Sequence, residues 1–490
     1  MTNTTYFTGP PADTETGTFK NCATETSSEG RCFRRPAGGY SPYSMNTALI
    51  DHYRCPDEYP EFESNGPLSN DAGYFRFGPH TICYGRTASG FRATRADEAL
   101  YDALENTANE GSALRLPFDP SDVIDNLRLE RYAKGRHGVW NVWNRSLKNV
   151  YYLLRPLMSV NVRKHLQRAH LRGWQTLPFP RWPVDTTVED LCDQLLFLSM
   201  KAKGIEKVPF IWFWPGGAQS AMAMTHDVET EQGISFCSEL MDIDDSFGLK
   251  ASIQLVPEGR YKVSANFIQG IHDRGFEVNL QDLNHDGRLF DNHRQFLRRA
   301  ERINEYVSSY QTDGFRAAVL YRNLEWIGAL DISFDMSVPN VAHLDPQRGG
   351  CCTVMPYFVG DILEIPVTTT QDYVLFHLLN DYSLDLWKAQ IELILNRNGL
   401  ATFIVHPDYL GKKRAAALYR ALLSYLRCLG QEKKIWFCLP GDINHWWRAR
   451  SKMRLVRENG KWRINGEGAE RAMLAYATIA GDHLEYEFEA

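Results

Sequence analysis

The residues best placed to do chemistry sit where an apolar run stops. Ala221-Met222-Ala223-Met224 leads through Thr225 into His226-Asp227-Val228-Glu229. An extended chain alternates its side chains, so Asp227 and Glu229 share one face of this segment and His226 takes the other. Two acids at the C-terminal end of a buried strand need a metal, another cation or a proton between them, because neither can be desolvated alone without cost. The C-terminal strand ends are also where α/β barrels carry their reactive groups. The plain alternative is a strand that runs out into a solvated acidic turn.

Three further strand-end signals follow in order. Gly275-Phe276-Glu277-Val278-Asn279-Leu280 runs into Gln281-Asp282-Leu283-Asn284-His285-Asp286-Gly287. Gly314-Phe315-Arg316-Ala317-Ala318 follows a helical stretch, and Phe403-Ile404-Val405-His406-Pro407-Asp408 closes a late apolar run. An acid pair, a His-Asp-Gly loop, a Gly-Phe-Arg and a late strand-end His, in that order, resemble the polysaccharide deacetylase superfamily (NodB homology, carbohydrate esterase family 4). The resemblance runs over about residues 205–445.

It implies Asp227 as general base, Arg316 as the group that orients it, and His406 as the acid for the leaving amine. It implies Glu229 and His285 as ligands of a divalent metal, zinc or another, with Gln281 in the remaining ligand position. Such a metal polarises the acyl carbonyl and lowers the pKa of a bound water. Three positions depart from the family pattern: Gln281 stands for a histidine, Glu229 for the commoner Asp, and Ala318 for a proline. A neutral amide oxygen donates weakly to zinc, so the metal is expected to be weakly bound or absent. Asp282, Asp286 and His226 are the nearby groups that could compensate. His226 reads more naturally as a core histidine, and Asp286-Gly287 as a tight turn.

These groups must be held by a repeating scaffold. Strands are expected at 221–226, 251–256, 276–281, 314–319, 331–336, 362–367, 401–406 and 435–439. Helices are expected at 233–247, 263–274, 288–311, 384–398 and 411–430. Strand–helix alternation means βαβ units and a parallel sheet. The fold class is therefore α/β, a distorted (β/α)7-type barrel with an N-terminal mixed α/β extension and a small C-terminal β appendage. The divisions are 1–120 (a mobile N-terminus and small β-rich module), 121–204 (a helical connection), 205–449 (the barrel) and 450–490 (the appendage). In the first division, Gly73–Gly78 and Thr81–Gly85 read as strands, and Asp97–Glu105 as a helix. Another helix begins at Ser121. In the last, Asn459-Gly460 marks a hairpin.

Composition narrows the classes. An apolar content of 43% supports a large core, and 54 basic against 60 acidic residues leaves a net charge of −6, which argues against a nucleic-acid partner. The N-terminus lacks the basic and apolar regions of a signal peptide, and no run is long enough to span a membrane. The ten cysteines lack CxxC spacing. Free thiols in the cytoplasm are the expectation, with a metal site at Cys22, Cys32, Cys55 and Cys83 the minor one.

Val142–Arg172 is basic and amphipathic. It reads as a core-packing helix before a helix lying on the inner face of a membrane. The loop Arg348–Tyr357 is a candidate lid or substrate wall, Tyr321–Trp326 a candidate substrate contact, and Trp446-Trp447 a sugar platform, a headgroup-layer contact or, more often for such pairs, a wedge against the barrel. Two function classes stand side by side. One is a hydrolase of the N-acetyl group, or a related amide, of an amino-sugar-containing saccharide, for which a nucleotide- or lipid-linked precursor would suit a cytoplasmic address. The other is a metal-free pseudoenzyme that binds saccharides as a scaffold. The oligomeric state stays open, a homodimer included.

Overall fold

A computed structural model describes residues 45–110, 113–134, 171 and 173–489. Cys22, Cys32 and all of Val142–Arg172 except Leu171 lie outside the described residues.

The sheet that carries the acid pair is built from strands β1 (Ser220–Val228), β2 (Ala251–Leu255), β3 (Glu277–Gln281), β4 (Gly314–Arg316), β5 (Phe334–Asp335), β6 (Tyr357–Val359), β7 (Ile362–Glu364), β8 (Leu400–Val405) and β9 (Ile435–Phe437). The order across it is β6-β7-β5-β4-β3-β2-β1-β8, with β9 also against β1. All pairs are parallel except β6 with β7. The result is an α/β fold with a curled, half-barrel, mostly parallel sheet. β1 is buried along its whole length, as a central parallel strand must be.

The helices fall close to their expected spans: Glu231–Ser246, Ala265–Asp273, His293–Tyr310, Asp385–Leu395 and Lys413–Glu432. Their starts are chemical. The side chains of Thr230, Ser264 and Asn292 accept from the backbone N–H groups of Gly233, Phe267 and Gln295. His293–Tyr310 buries Phe296, Ala300, Ile303, Val307 and Tyr310, one apolar stripe at three- and four-residue spacing.

The barrel seam between β8 and the segment after β7 is made by threonines. Thr402 Oγ1 accepts from Thr368 N at 2.9 Å and donates to Pro366 O at 2.6 Å. Thr368 Oγ1 accepts from Thr402 N at 2.9 Å and donates to Leu400 O at 2.8 Å. Thr369 Oγ1 donates to Thr402 O at 2.7 Å. Side chains thus satisfy backbone groups that a neighbouring strand would otherwise pair. The seam fixes where Gln371 and Asp372 emerge.

Outside the sheet, Gly73–Phe77 and Thr81–Gly85 form an antiparallel hairpin. The helix expected at Asp97–Glu105 is only a short 3-10 turn, Ala103–Asn106. The chain before it is drawn out alongside the hairpin, with Arg76 N donating to Tyr101 O, so tertiary pairing overrides local preference. Helix Pro120–Arg128 starts at Asp119, whose side chain caps it. Hairpin Arg454–Glu458 with Lys461–Asn465 turns at Asn459-Gly460, both at positive φ. Leu474–Ala480 pairs with His483–Phe488 and also with Lys207–Ile211, which ties the tail to the entry of the barrel.

A loop expectation is corrected. Arg348–Tyr357 is no lid: Gly349 to Tyr357 are buried, with Gly350 N donating to Glu130 and Tyr132 Oη donating to Gly350 O, each at 2.6 Å. Within Tyr321–Trp326, Arg322 is buried in a bidentate pair with Glu130. Trp446 and Trp447 are the wedge: Trp446 donates to Phe213 O, and Trp447 packs on Trp214 at 5.4 Å.

The seam makes a direct prediction. Thr402→Val keeps shape but leaves Thr368 N and Pro366 O without their partner, and should cost about 1–3 kcal/mol in urea unfolding. Thr402→Ser should recover most of that loss. Equal stability of wild type and the Val variant would show that the threonines do not close the barrel.

Candidate active site

Asp227 and Glu229 stand at the end of β1, Gln281 at the end of β3, Arg316 at the end of β4 and His406 just past β8. Parallel pairing brings these ends together, and His285 joins them from the loop after β3. All six predicted site residues therefore converge at one end of the sheet. They form two linked groups.

The first group is inside the barrel. Arg316 Nη1 donates to Asp227 Oδ1 at 2.5 Å and to Thr225 Oγ1 at 2.8 Å, while its Nε donates to Met336 O at 3.0 Å. Gln281 Nε2 donates to Asp227 Oδ2 at 3.0 Å. Both Asp227 oxygens are thus oriented. Gln281 Oε1 is buried and has no hydrogen-bond partner.

The second group is at the mouth. His406 Nδ1 donates to Asp372 Oδ1 at 2.6 Å, and its backbone N–H donates to Asp372 Oδ2 at 2.8 Å. His406 Nε2 lies 3.6 Å from Glu229 Oε1, and His285 Nε2 lies 2.9 Å from the same oxygen. Among the described residues, that contact is the one made by His285 Nε2, which has no further hydrogen-bond partner. The Glu229 side chain is 25% exposed, the one group of this set that reaches solvent appreciably. Asp408 accepts from Glu229 N at 3.1 Å and from the Thr230 hydroxyl, which sets the direction of the acid. Tyr409 stands 5.1 Å from the His406 ring.

The charges divide cleanly. Burial alone would raise the Glu229 carboxyl, but the His285 and His406 rings outweigh it and hold the group well below the usual carboxylate range. Burial would lower His406, yet Asp372 and then Glu229 push it well above an ordinary imidazole. His285 is likewise raised, Glu229 overcoming both burial and the Arg260 guanidinium. The opposed shifts are those of a buried ion-pair network, in which each charge stabilises its neighbour.

The supposed compensating groups are engaged elsewhere. His226 Nε2 contacts Asp244 at 2.9 Å and its Nδ1 lies 3.1 Å from Val405 O, so it is the expected core histidine. Arg299 clamps Asp286 through both oxygens. Asp282 Oδ1 accepts from the next backbone N–H. Cys55 and Cys83 are buried free thiols whose pKa burial raises.

These donors do not fit a resident metal. Among the described residues, no group of three or more His, Cys, Asp or Glu is arranged to hold an ion. Gln281 contributes only an amide oxygen, and its nitrogen is tied to Asp227. Of the ligand set expected from the sequence, His285 and Glu229 meet at 2.9 Å, while Gln281 turns its nitrogen to Asp227.

No protein-family model and no curated protein matches the chain. Solved structures do match in fold. A protein of Mycobacterium smegmatis assigned as a polysaccharide deacetylase is 18% identical, covers 51% of this chain and 98% of its own, and superposes with a TM-score of 0.40. The PuuE allantoinase is 12% identical over 48% and 92%, with a TM-score of 0.37. A family 4 carbohydrate esterase pseudoenzyme from Bacillus anthracis is 14% identical over 47% and 66%, at 0.29. The chain is similar in fold to polysaccharide deacetylases. At these identities the likeness is one of fold alone.

Sequence reasoning missed Asp372, Asp408 and Arg260. The run Thr368-Thr369-Thr370-Gln371-Asp372 was the available signal for the first, since hydroxyls followed by an acid after a strand mark a polar seam. Asp408 lies two residues past His406.

The His406–Asp372 pair predicts a pH dependence. A histidine raised in the folded state stabilises it fully below the ordinary imidazole pKa, and that contribution is lost as pH climbs through the raised value. Asp372→Asn should therefore cost about 3–5 kcal/mol near pH 6 and progressively less at alkaline pH. Chemical denaturation of both proteins across that range checks it. A difference that grows with pH would contradict the assignment.

Proposed function

We propose that the chain is a C–N hydrolase that removes the N-acetyl group, or a closely related acyl group, from an amino sugar in a saccharide. The observation that carries the proposal is His406. It is buttressed by Asp372, which with Glu229 raises its pKa well above an ordinary imidazole, and it faces the half-buried Glu229 carboxylate 3.6 Å away. The saccharide substrate rests on the order of the four motifs. A nucleotide- or lipid-linked precursor in the cytoplasm suits the sequence best.

The steps use the chain's own side chains. Asp227, oriented by Arg316 and Gln281, takes the proton from an attacking water. The acyl carbon becomes tetrahedral, and its oxygen gathers negative charge. His285 Nε2, which lies 2.9 Å from Glu229 Oε1, supplies a hydrogen bond to that oxygen. His406 Nε2 gives its proton to the nitrogen as the C–N bond breaks, releasing the amine and the carboxylic acid. Glu229 holds both imidazoles in their charged or donor form. No step passes through a metal.

One observation favours the alternative of a saccharide-binding pseudoenzyme: both oxygens of Asp227 are already engaged, by Arg316 and Gln281. Acetate release from an N-acetylated chitooligosaccharide separates the two. His406→Asn and Asp227→Asn should each lower kcat by about 100- to 10,000-fold with little change in KM. Tight binding of the sugar with no acetate released by the wild type would instead support the scaffold.

A further inference from the structure

Arg260 is an exposed residue whose guanidinium is not free. The loop after β2 is pinned against the loop after β3 at three points. Glu258 N donates to Leu283 O at 3.0 Å, Arg260 Nε donates to Asn284 O at 3.4 Å, and Arg260 Nη2 donates to His285 O at 2.6 Å. The same Nη2 lies 3.3 Å from His285 Nδ1. Gly259, at φ +75, makes the turn that delivers the side chain.

A guanidinium has five N–H donors and no acceptor. The nitrogen facing it must present a lone pair. His285 Nδ1 is therefore the acceptor, and the ring proton sits on Nε2, the atom 2.9 Å from Glu229 Oε1. A metal-ligating histidine needs the reverse: a lone pair on the ligating nitrogen and an N–H on the other, given to a carboxylate, a carbonyl or water. Binding an ion at Nε2 would move the proton to Nδ1, against the Arg260 N–H, and would add a second cation next to a fixed one.

We infer that Arg260 is a positioning residue that locks His285 as a hydrogen-bond donor at Nε2 and thereby keeps divalent metal out of the Glu229–His285 pair. The departure from a metal centre is then written twice in this chain, once as Gln281 and once as Arg260. The inference stands whether or not the chain hydrolyses amides, because it concerns the protonation and metal affinity of one ring.

Two measurements test it. Nitrogen-15 spectra of protein with labelled histidine, with His285 assigned by its loss in His285→Gln, should show a protonated Nε2 in the wild type. Cobalt(II) titration followed by visible absorption should show no saturable site in the wild type. Arg260→Glu, which offers Nδ1 an acceptor, should bind cobalt at least ~10-fold more tightly, the size expected for a changed partner of a ligating imidazole. Arg260→Met, which removes the cation without adding an acceptor, should fall between them, and thermal melting shows that each variant is folded. An unprotonated Nε2 in the wild type would overturn the inference. So would a stoichiometric wild-type cobalt site whose affinity Arg260→Glu leaves unchanged.

Discussion

A guanidinium with 1% of its side chain exposed lies at the centre of the barrel. Burying a charge is tolerated only when it is paired and its donors are met. Arg316 meets that demand with Asp227, the Thr225 hydroxyl and the Met336 carbonyl, so three strands are tied through one side chain. Asp227 is consequently not free to choose its direction. The rest of the site is arranged around that fixed carboxylate.

Moving outward, each acid is flanked by a donor and each imidazole by an acid or a cation. Gln281 covers the second oxygen of Asp227, and Glu229 lies between His285 and His406. Asp372 backs one ring and Arg260 the other. The two rings therefore receive opposite instructions at Nδ1: His406 gives its Nδ1 proton to a carboxylate, whereas His285 must accept from a guanidinium. The pattern is one of placed protons. The one member with appreciable exposure is Glu229, at 25%.

Much of this was legible in the chain. Period-2 alternation placed Asp227 and Glu229 on one face and sent His226 to the helices, where Asp244 and Tyr419 receive it. Strand–helix alternation placed Gln281, Arg316 and His406 at the same end of a parallel sheet, since every such strand points the same way. What stayed hidden depended on side chains meeting across long sequence separations. Asp372 reaches His406 only because threonine hydroxyls replace a backbone ladder at the seam. Arg260 reaches His285 only because two loops, whose own residues carry no strong motif, are pinned together. Arg348–Tyr357 looked like a free loop by composition, but Glu130, Tyr132 and Glu189 on earlier segments bury it. Gln281 was visible as a departure, though its bond to Asp227 was not.

The central claim is that acid–base chemistry in this site runs on fixed protons without a metal. The direct measurement is acetate release from an N-acetylated oligosaccharide before and after exhaustive dialysis against a strong chelator, with elemental analysis of the same samples. The account predicts an unchanged rate in protein shown to contain no zinc, cobalt, manganese or nickel. A rate that collapses on chelation and returns when one equivalent of a divalent ion is added would contradict it.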